Sequence, residues 1–354
     1  MKPFRKFAAV ILAASLLAQL VPAVAWGAPL VIPAPPREGG LPIPDAPGVS
    51  AVSWLVYDAD ADLVLASHDP DTERAMASTT KIMTALVALK YGDPDSVVRV
   101  SRAAADVGES EVGLVAGERF TLKLLVTAIV ARSANDAAMA VAEHVGGSVE
   151  GFVDMMNAEA AELGLEHTHF ANPHGLDAEG HYSSASDLLR MTLAAMEYPE
   201  FRNMTSTERA PFPTAPDGTE RVIESTNQLL EDYPGAFGVK TGFTNKASLV
   251  FVAGAERDGR TLFAVVMGSG GVGGHFVDAS TLLDWGFDHF RGVALVAAGD
   301  PYDPPEPERL VEVEPEPAPE PVVVERIRTS DGDPPNLASA LGWVGLVFER
   351  LSGG

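Results

Sequence analysis

Ser78 and Lys81 stand three residues apart where the sequence predicts the start of a helix. The apolar residues that follow repeat at intervals of four and three, the pattern of one helical face: Ile82, Leu86 and Leu89. Because residues three apart on a helix are neighbours, the hydroxyl and the amine can touch. Serine needs a nearby base to become a nucleophile, and lysine can be that base when burial keeps it neutral. The alternative is an ordinary helix start, in which Ser78 or Thr79 is the N-cap and Lys81 is solvated.

Two further short motifs could complete such a site. Ser133-Ala134-Asn135 lies where an apolar helix predicted over residues 122–131 gives way to a loop. Its hydroxyl can relay a proton, and its amide can bind a peptide bond. Lys240-Thr241-Gly242 lies on a predicted strand, where an ammonium and a hydroxyl can bind a carboxylate and glycine lets a ligand approach. A second Ser-x-Asn sequence, Ser225-Thr226-Asn227, is interpreted as incidental.

The composition limits the classes of function. Lysine and arginine total 25 of the 354 residues, aspartate and glutamate total 49, and the net charge is −24. This balance argues against a nucleic-acid partner, because the phosphates of nucleic acids demand cations. The sequence contains no cysteine, which excludes disulfides, thiolate catalysis and cysteine-bound zinc.

The two ends of the sequence differ from its middle. Residues 1–27 combine early basic residues, an apolar run and a small-x-small site, and are predicted to be a signal peptide. Residues 28–47 contain seven prolines and are predicted to be an extended linker. Residues 293–335 are a second, acidic and proline-rich linker. Residues 336–354 carry apolar side chains on one helical face, which fits an amphipathic membrane anchor or, equally, a docking helix or frayed tail.

Residues 48–292 predict one domain of the α+β class. A hairpin of strands comes first, then a series of helices, then three successive strands over residues 238–267 and a final helix over 276–290. One of the helices, over 186–197, is predicted to be capped by Ser186 or Asp187. This order indicates an antiparallel β-sheet with helices packed on it, not alternating βαβ units.

The three motifs, in this order, are the pattern of penicillin-binding proteins and class A β-lactamases. The chain resembles most the low-molecular-weight penicillin-binding proteins that are serine-type D-alanyl-D-alanine carboxypeptidases of the peptidase S11 family. The resemblance extends over about residues 48–290. It is carried by ASTTKIMTAL at 77–86, RSANDAA at 132–138, HFANPHGLD at 169–177, YSSASDL at 182–188, STNQLL at 225–230 and GVKTGFTNKASLVFVAGAERDGRTLFAVVMG at 238–268.

The resemblance implies a β-lactamase/transpeptidase-like fold and a catalytic role for three residues: Ser78 as the acylated nucleophile, Lys81 as the base for acylation and Ser133 as a proton relay. It implies that the following residues bind the substrate: Asn135, Lys240, Thr241, Gly242 and Phe243. Asn135 would hold the substrate amide, and Lys240 with Thr241 would bind the terminal carboxylate. The backbone N–H groups of Ser78 and Phe243 would form the oxyanion hole.

The resemblance also implies a substrate, a peptidoglycan stem peptide that ends in D-Ala-D-Ala, and β-lactam antibiotics as inhibitors. It implies no metal and no cofactor. The protein is expected to act outside the cytoplasmic membrane and to associate with the membrane surface through residues 336–354. Members of the family often carry a small β-rich domain after the catalytic one, whereas an acidic linker follows here.

Two alternative functions use the same motifs. A β-lactamase shares all three, although the class A deacylation motif Glu-x-x-Leu-Asn has no convincing match in this sequence. A non-catalytic cell-wall-binding protein is the alternative from another class. Such a binder has no need of both Lys81 and Ser133, so the intact catalytic set favours an enzyme.

Three other patterns suggest bound ligands. His167, His169 and His174 could form a zinc site of a metallo-hydrolase. The glycines of residues 268–273 match a dinucleotide-binding fingerprint, although a flexible turn is the simpler interpretation. The Asp-x-Asp-x-Asp sequence at residues 58–62 resembles the start of a calcium loop, although a plain acidic turn explains it as well.

Overall fold

The computed structural model describes residues 45–290, which carry nine strands and nine α-helices. The strands are β1 (Ser53–Asp58), β2 (Leu63–His68), β3 (Val97–Arg99), β4 (Arg119–Thr121), β5 (Arg209–Phe212), β6 (Arg221–Glu224), β7 (Ala236–Thr244), β8 (Ser248–Arg257) and β9 (Arg260–Ser269). The helices are α1 (Lys81–Tyr91), α2 (Arg102–Ala105), α3 (Leu122–Thr127), α4 (Asn135–Gly146), α5 (Val149–Glu162), α6 (Ala185–Met196), α7 (Pro199–Thr205), α8 (Leu229–Asp232) and α9 (Gly274–His289). A 3₁₀ turn, Ala77–Thr80, precedes α1 directly, and a π-helical turn, Ala128–Arg132, follows α3.

Five of the strands form one antiparallel sheet in the order β2-β1-β9-β8-β7. The N-terminal hairpin therefore joins the three C-terminal strands, with Val56 opposite Ala264 and Val252 opposite Val265. The predicted α+β class and the antiparallel sheet are confirmed. Strand β7 lies at one edge of the sheet, so within residues 45–290 one side of its backbone is not paired by another strand.

The sheet separates two hydrophobic cores. Alternate side chains of a strand point to opposite faces, and Leu55 therefore belongs to one core while its neighbour Val56 belongs to the other. The larger core lies between the sheet and helices α1 to α7, with α1 at its centre, where Ile82 and Met83 are fully buried. The smaller core lies under α9. Helices thus cover both faces, which explains why the middle of β8 is apolar without alternation.

Two details differ from the sequence-based predictions, and one agrees with them. Helix α6 is capped by Ser184, whose hydroxyl accepts from the N–H of Asp187, and not by Ser186 or Asp187. The hairpin β5–β6 was not predicted from the sequence. The acidic turn between β1 and β2 is held within the protein, because the carboxylate of Asp58 accepts from the N–H groups of residues 60 and 61 and from Arg260.

The predicted terminal segments lie outside the described residues. This applies to the signal peptide over residues 1–27, nearly all of the linker over 28–47, the acidic linker over 293–335 and the amphipathic segment over 336–354. The glycine fingerprint at 268–273 precedes α9, but the five-stranded sheet is antiparallel throughout. A dinucleotide-binding fold needs a parallel sheet, so that alternative is wrong.

His275 makes the smaller core sensitive to acid. It is 7% exposed, its ring packs against Phe251 and Phe276, and its Nδ1 has no hydrogen-bond partner among residues 45–290. Burial lowers the pKa of His275 to about 4. The folded protein therefore holds this ring neutral, while the unfolded chain takes up a proton as the pH falls below about 6.5. The contribution of His275 to the free energy of unfolding is therefore complete above about pH 6.5 and falls as the pH drops toward 4.

Replacing His275 by phenylalanine should remove this acid sensitivity. Between pH 8 and pH 5 the variant should gain about 2 kcal/mol of unfolding free energy relative to wild type. Urea unfolding at both pH values measures this difference. The matched control is His68→Phe, whose side chain is 60% exposed and which should follow the wild type. Parallel pH dependence of His275→Phe and wild type would show that His275 does not contribute.

Candidate active site

Ser78 occupies a tight turn directly before α1, not a regular helix start. The preceding residue, Ala77, has a φ of +48°, a left-handed conformation that costs an L residue about 1–2 kcal/mol. Two hydroxyls stabilise this turn: Thr79 Oγ1 donates to the carbonyl of Met76 at 2.5 Å, and Thr80 Oγ1 donates to that of Ala77 at 2.8 Å. Neither the turn nor α1 has a side-chain cap. The interpretation of Ser78 or Thr79 as an ordinary N-cap is therefore wrong.

Lys81 is fully buried and its amine meets three oxygens. Nζ lies 3.0 Å from the Oγ of Ser78, 2.7 Å from the Oδ1 of Asn135 and 2.5 Å from the carbonyl oxygen of His174. Burial, followed by the positive charge of Lys240, lowers the pKa of Lys81 well below its ordinary value. The alternative of a solvated lysine is also wrong.

These three contacts match the hydrogen-bonding capacity of a neutral amine. A neutral amine has two N–H groups and one lone pair. The oxygens of Asn135 and His174 can only accept, so they take the two N–H groups. The lone pair is then left for the hydroxyl proton of Ser78. The geometry can therefore activate Ser78 as a nucleophile.

Asn135 links Lys81 to the loop that follows α2. Its Nδ2 donates to the carbonyl of Gly108 at 2.9 Å, and its backbone N–H donates to that of Ser110 at 2.6 Å. These bonds fix the side-chain amide with Oδ1 toward Lys81. One N–H of Nδ2 remains, since the amide has two. That N–H is the group with which Asn135 could bind the substrate.

Ser133 lies between the π-helical turn and α4, with a left-handed φ of 65°. Its side chain is buried, with 5% exposed. It lies two residues before Asn135, whose side chain contacts Lys81. The structure therefore places Ser133 near the other residues without a direct bond to them, and its role as a relay stays a prediction.

Lys240 and Thr241 lie on the edge strand β7. Lys240 is 2% exposed and its Nζ donates to the carbonyl of Thr241 at 3.1 Å. Burial lowers the pKa of Lys240 to about 7. No carboxylate contacts Lys240 within residues 45–290, so its ammonium is available to an anionic ligand. Such a ligand would favour the charged form and raise the pKa again.

Gly242 brings β7 against the turn that holds Ser78. A Cβ at Gly242 would lie 2.9 Å from the backbone nitrogen of Ser78 and 3.2 Å from that of Thr79. Only glycine allows this approach. The next residue, Phe243, has a side chain that is 62% exposed. The strand and the turn thus place the backbone of residues 242–243 beside Ser78, where a shared oxyanion hole was predicted.

The loop over residues 172–177 is a part of the site that the sequence reasoning did not assign. Its His174 carbonyl binds Lys81, and a Cβ at Gly175 would lie 2.1 Å from the carbonyl oxygen of Ala77. The side chain of Asn172 closes the loop by accepting from the N–H groups of His174 and Gly175. The only sequence signal was the turn-like Asn-Pro-His-Gly, which did not indicate a contact with Lys81.

Two of the three histidines considered as zinc ligands have other contacts. His169 Nδ1 bonds the carbonyl of Gly180 and its ring stacks on Tyr182, while His174 lies beside Lys81. Across the described part of the chain, no three His, Asp or Glu side chains come together in a way that could hold a metal ion. The structure gives no support to a zinc site built on His167, His169 and His174.

His181 supports the turn through Thr80. Its Nδ1 accepts from the N–H of Ala171 at 3.0 Å, so in the neutral ring Nε2 carries the proton and donates to Thr80 Oγ1 at 2.8 Å. Thr80 in turn donates to Ala77. Burial, followed by the charge of His169, lowers the pKa of His181 to about 4. The ring therefore stays neutral at pH 7 and the hydrogen-bond chain to Ala77 is preserved.

Known proteins resemble this chain in both sequence and fold. A family model described as D-alanyl-D-alanine carboxypeptidase, peptidase S11, matches residues 42–271. The chain belongs to this family. The D-alanyl-D-alanine carboxypeptidase DacB2 of Mycobacterium tuberculosis is 40% identical over 259 residues, which cover 70% of this chain and 85% of DacB2. DacF of Bacillus subtilis is 36% identical over 246 residues, and the match spans 63% of its length.

Solved structures place this S11 family member among the penicillin-binding proteins. A penicillin-binding protein homologue from Mycobacterium tuberculosis is 38% identical, with a TM-score of 0.66, over 73% of this chain and 97% of that one. The DD-transpeptidase of Streptomyces K15 is 31% identical, with a TM-score of 0.65, over 69% of this chain and 99% of that one. The fold implied by the sequence resemblance is confirmed.

Proposed function

We propose that this S11 family member is a serine D-alanyl-D-alanine carboxypeptidase that removes the terminal D-alanine from peptidoglycan stem peptides. The observation that carries the proposal is the environment of Lys81, a buried amine whose lone pair is directed to Ser78 by two fixed acceptors. Membership of the family and the names of its relatives support the substrate class.

The reaction proceeds through an acyl-enzyme on Ser78. Ser78 Oγ attacks the carbonyl carbon of the penultimate D-alanine and its proton passes to Nζ of Lys81. The backbone N–H groups of Ser78 and Phe243 stabilise the oxyanion. The C–N bond then breaks, and the proton reaches the leaving amine through Ser133. Water hydrolyses the ester, which releases the shortened peptide and regenerates the hydroxyl of Ser78.

The substrate peptide lies along the edge of β7. An extended peptide can pair with the free backbone groups of an edge strand, and the edge of β7 is unpaired within residues 45–290. Lys240 and Thr241 then bind the terminal carboxylate. Asn135 contributes its remaining N–H to the amide of the substrate. The exposed ring of Phe243 offers an apolar surface beside the scissile bond.

Release of D-alanine from a pentapeptide that ends in D-Ala-D-Ala tests the proposal. The wild-type protein should release one D-alanine per peptide, and Ser78→Ala should reduce the rate by about a millionfold, to the limit of detection. The matched control is Ser206→Ala on the exposed end of α7, which should keep the wild-type rate. Equal release by wild type and Ser78→Ala would refute the serine mechanism.

Replacing Gly242 by alanine should slow acylation. The new Cβ would meet backbone atoms of the turn, which cannot move aside without displacing Ser78. Because a displacement of this kind near 1 Å costs about a hundredfold in rate, we expect acylation by benzylpenicillin to slow by about that factor. Gly270→Ala is the control, since a Cβ there meets only Ser50 at 4.0 Å. An unchanged acylation rate in Gly242→Ala would show that the close approach is not required.

The segments at both ends of the sequence also have proposed roles. We infer that residues 1–27 direct export, that residues 28–47 and 293–335 are linkers, and that the domain acts outside the cytoplasmic membrane, where peptidoglycan lies. Attachment to the membrane surface is assigned to residues 336–354. Within residues 45–290, no helix combines the length and the apolar character needed to cross a membrane.

A further inference from the structure

The second Ser-x-Asn sequence lies at the active site and is not incidental. Ser225-Thr226-Asn227 connects β6 to α8. The Oγ1 of Thr226 lies 2.6 Å from the Oγ1 of Thr241, the hydroxyl assigned above to the terminal carboxylate. Thr226 does not belong to any of the three motifs that make up the family pattern.

The backbone around Thr226 is held on both sides. The N–H of Thr226 donates to the carbonyl of Ala131 at 3.1 Å, and that of Ser225 donates to Glu208 at 2.8 Å. The N–H of Asn227 donates to the Oγ of Ser225 at 3.1 Å. Ala131 belongs to the π-helical turn that directly precedes Ser133. Thr226 therefore has a fixed position between the strand of Thr241 and the segment of Ser133.

The two hydroxyls share one hydrogen bond, so only one of them donates to the other. If Thr241 donates to Thr226, the proton of Thr241 is occupied and a carboxylate would meet only lone pairs at the oxygen of Thr241. If Thr226 donates to Thr241, the proton of Thr241 is free. A carboxylate can only accept hydrogen bonds. Binding of a carboxylate therefore requires the second arrangement, in which the bond from Thr226 also polarises the hydroxyl of Thr241 and strengthens it as a donor.

We propose that Thr226 is a positioning residue for substrate recognition, which donates its hydroxyl proton to Thr241 and thereby directs the proton of Thr241 to the terminal carboxylate. This inference rests on the proposed function, in which Lys240 and Thr241 bind that carboxylate. Thr226 acts through Thr241, and its contribution is to selectivity for a free C-terminal acid.

The test compares a peptide that ends in D-Ala-D-Ala with the same peptide carrying a C-terminal amide. Thr226→Val replaces the hydroxyl with a methyl group of similar size, Thr226→Ala removes it without adding a group, and Thr226→Ser retains it. The matched control is Thr192→Val, which removes a fully buried hydroxyl that donates to Leu188 inside α6. For each purified protein, kcat and KM are measured with both peptides, together with the melting temperature.

We expect Thr226→Val and Thr226→Ala to lower kcat/KM for the free acid by about tenfold, mainly through KM, with little change for the amide. Thr226→Ser should restore selectivity, and Thr192→Val should keep it. Wild-type selectivity in folded Thr226→Val and Thr226→Ala would overturn the role of Thr226. A loss of selectivity in Thr226→Ser equal to that in Thr226→Val would also overturn this role. If the wild type itself does not distinguish acid from amide, the carboxylate site on Lys240 and Thr241 fails, and the inference fails with it.

Discussion

Replacing Lys81 by methionine should slow acylation of Ser78 by at least about a thousandfold, the upper range for loss of a general base. Methionine is unbranched and apolar, so it can occupy the buried position of Lys81. It leaves the oxygens of Asn135 and His174 without their donor, which should cost about 1–3 kcal/mol of stability. Mass spectrometry of the penicillin adduct measures the rate, and circular dichroism confirms that the variant is folded.

The control for this prediction is Lys123→Met, at an exposed position on α3. It removes a lysine of the same size and should acylate at the wild-type rate. Folded Lys81→Met that acylates as fast as wild type would show that another group takes the proton of Ser78. The contacts of Lys81 would then be structural only.

Replacing Lys240 by alanine should remove recognition of the terminal carboxylate. Loss of a buried charged partner costs about 2–5 kcal/mol in comparable complexes, so kcat/KM for the free-acid peptide should fall at least about thirtyfold. The amidated peptide, which has no carboxylate, should be affected far less. Steady-state kinetics with both peptides measure this selectivity. The control is Lys246→Ala, an exposed lysine near the end of β7, which should retain the wild-type preference.

The pH profile offers a second readout of Lys240. Burial lowers its pKa to about 7, so the ammonium is present below that pH and is lost as the pH rises through it. In the free enzyme, kcat/KM for the free-acid peptide should therefore decline above about pH 7, while the amidated peptide should show no such alkaline limb. An identical alkaline limb for both peptides would assign the titration to a group other than Lys240.

The local pattern of the sequence was sufficient to predict the pairing of Ser78 with Lys81, because residues three apart meet wherever the backbone is helical. The conformation around Ser78 differs from a regular helix start. Ser78 lies in a 3₁₀ turn with a left-handed residue before it, and no cap is present. Strand-like runs separated by turn signals predicted the three C-terminal strands, although the strands extend a few residues beyond the predicted bounds.

Contacts between distant segments could not be predicted from patterns of this kind. The carbonyl of His174 that binds Lys81 is 93 positions away in sequence, and Thr226 meets Thr241 only because β7 and the loop after β6 fold together. A backbone carbonyl has no side-chain signature, and a threonine in a loop is too common to indicate function. The family resemblance identified the stretches that contain both residues, but not their contacts.

The most direct test of the central claim is the intact mass of the purified protein after brief exposure to benzylpenicillin, followed over time. The account predicts one covalent adduct that maps to Ser78, persists for many minutes and does not form on Ser78→Ala. An adduct on Ser78 that vanishes within seconds would instead indicate a β-lactamase. A folded protein that forms no adduct on Ser78 would contradict the claim that Ser78 and Lys81 form an acylating pair.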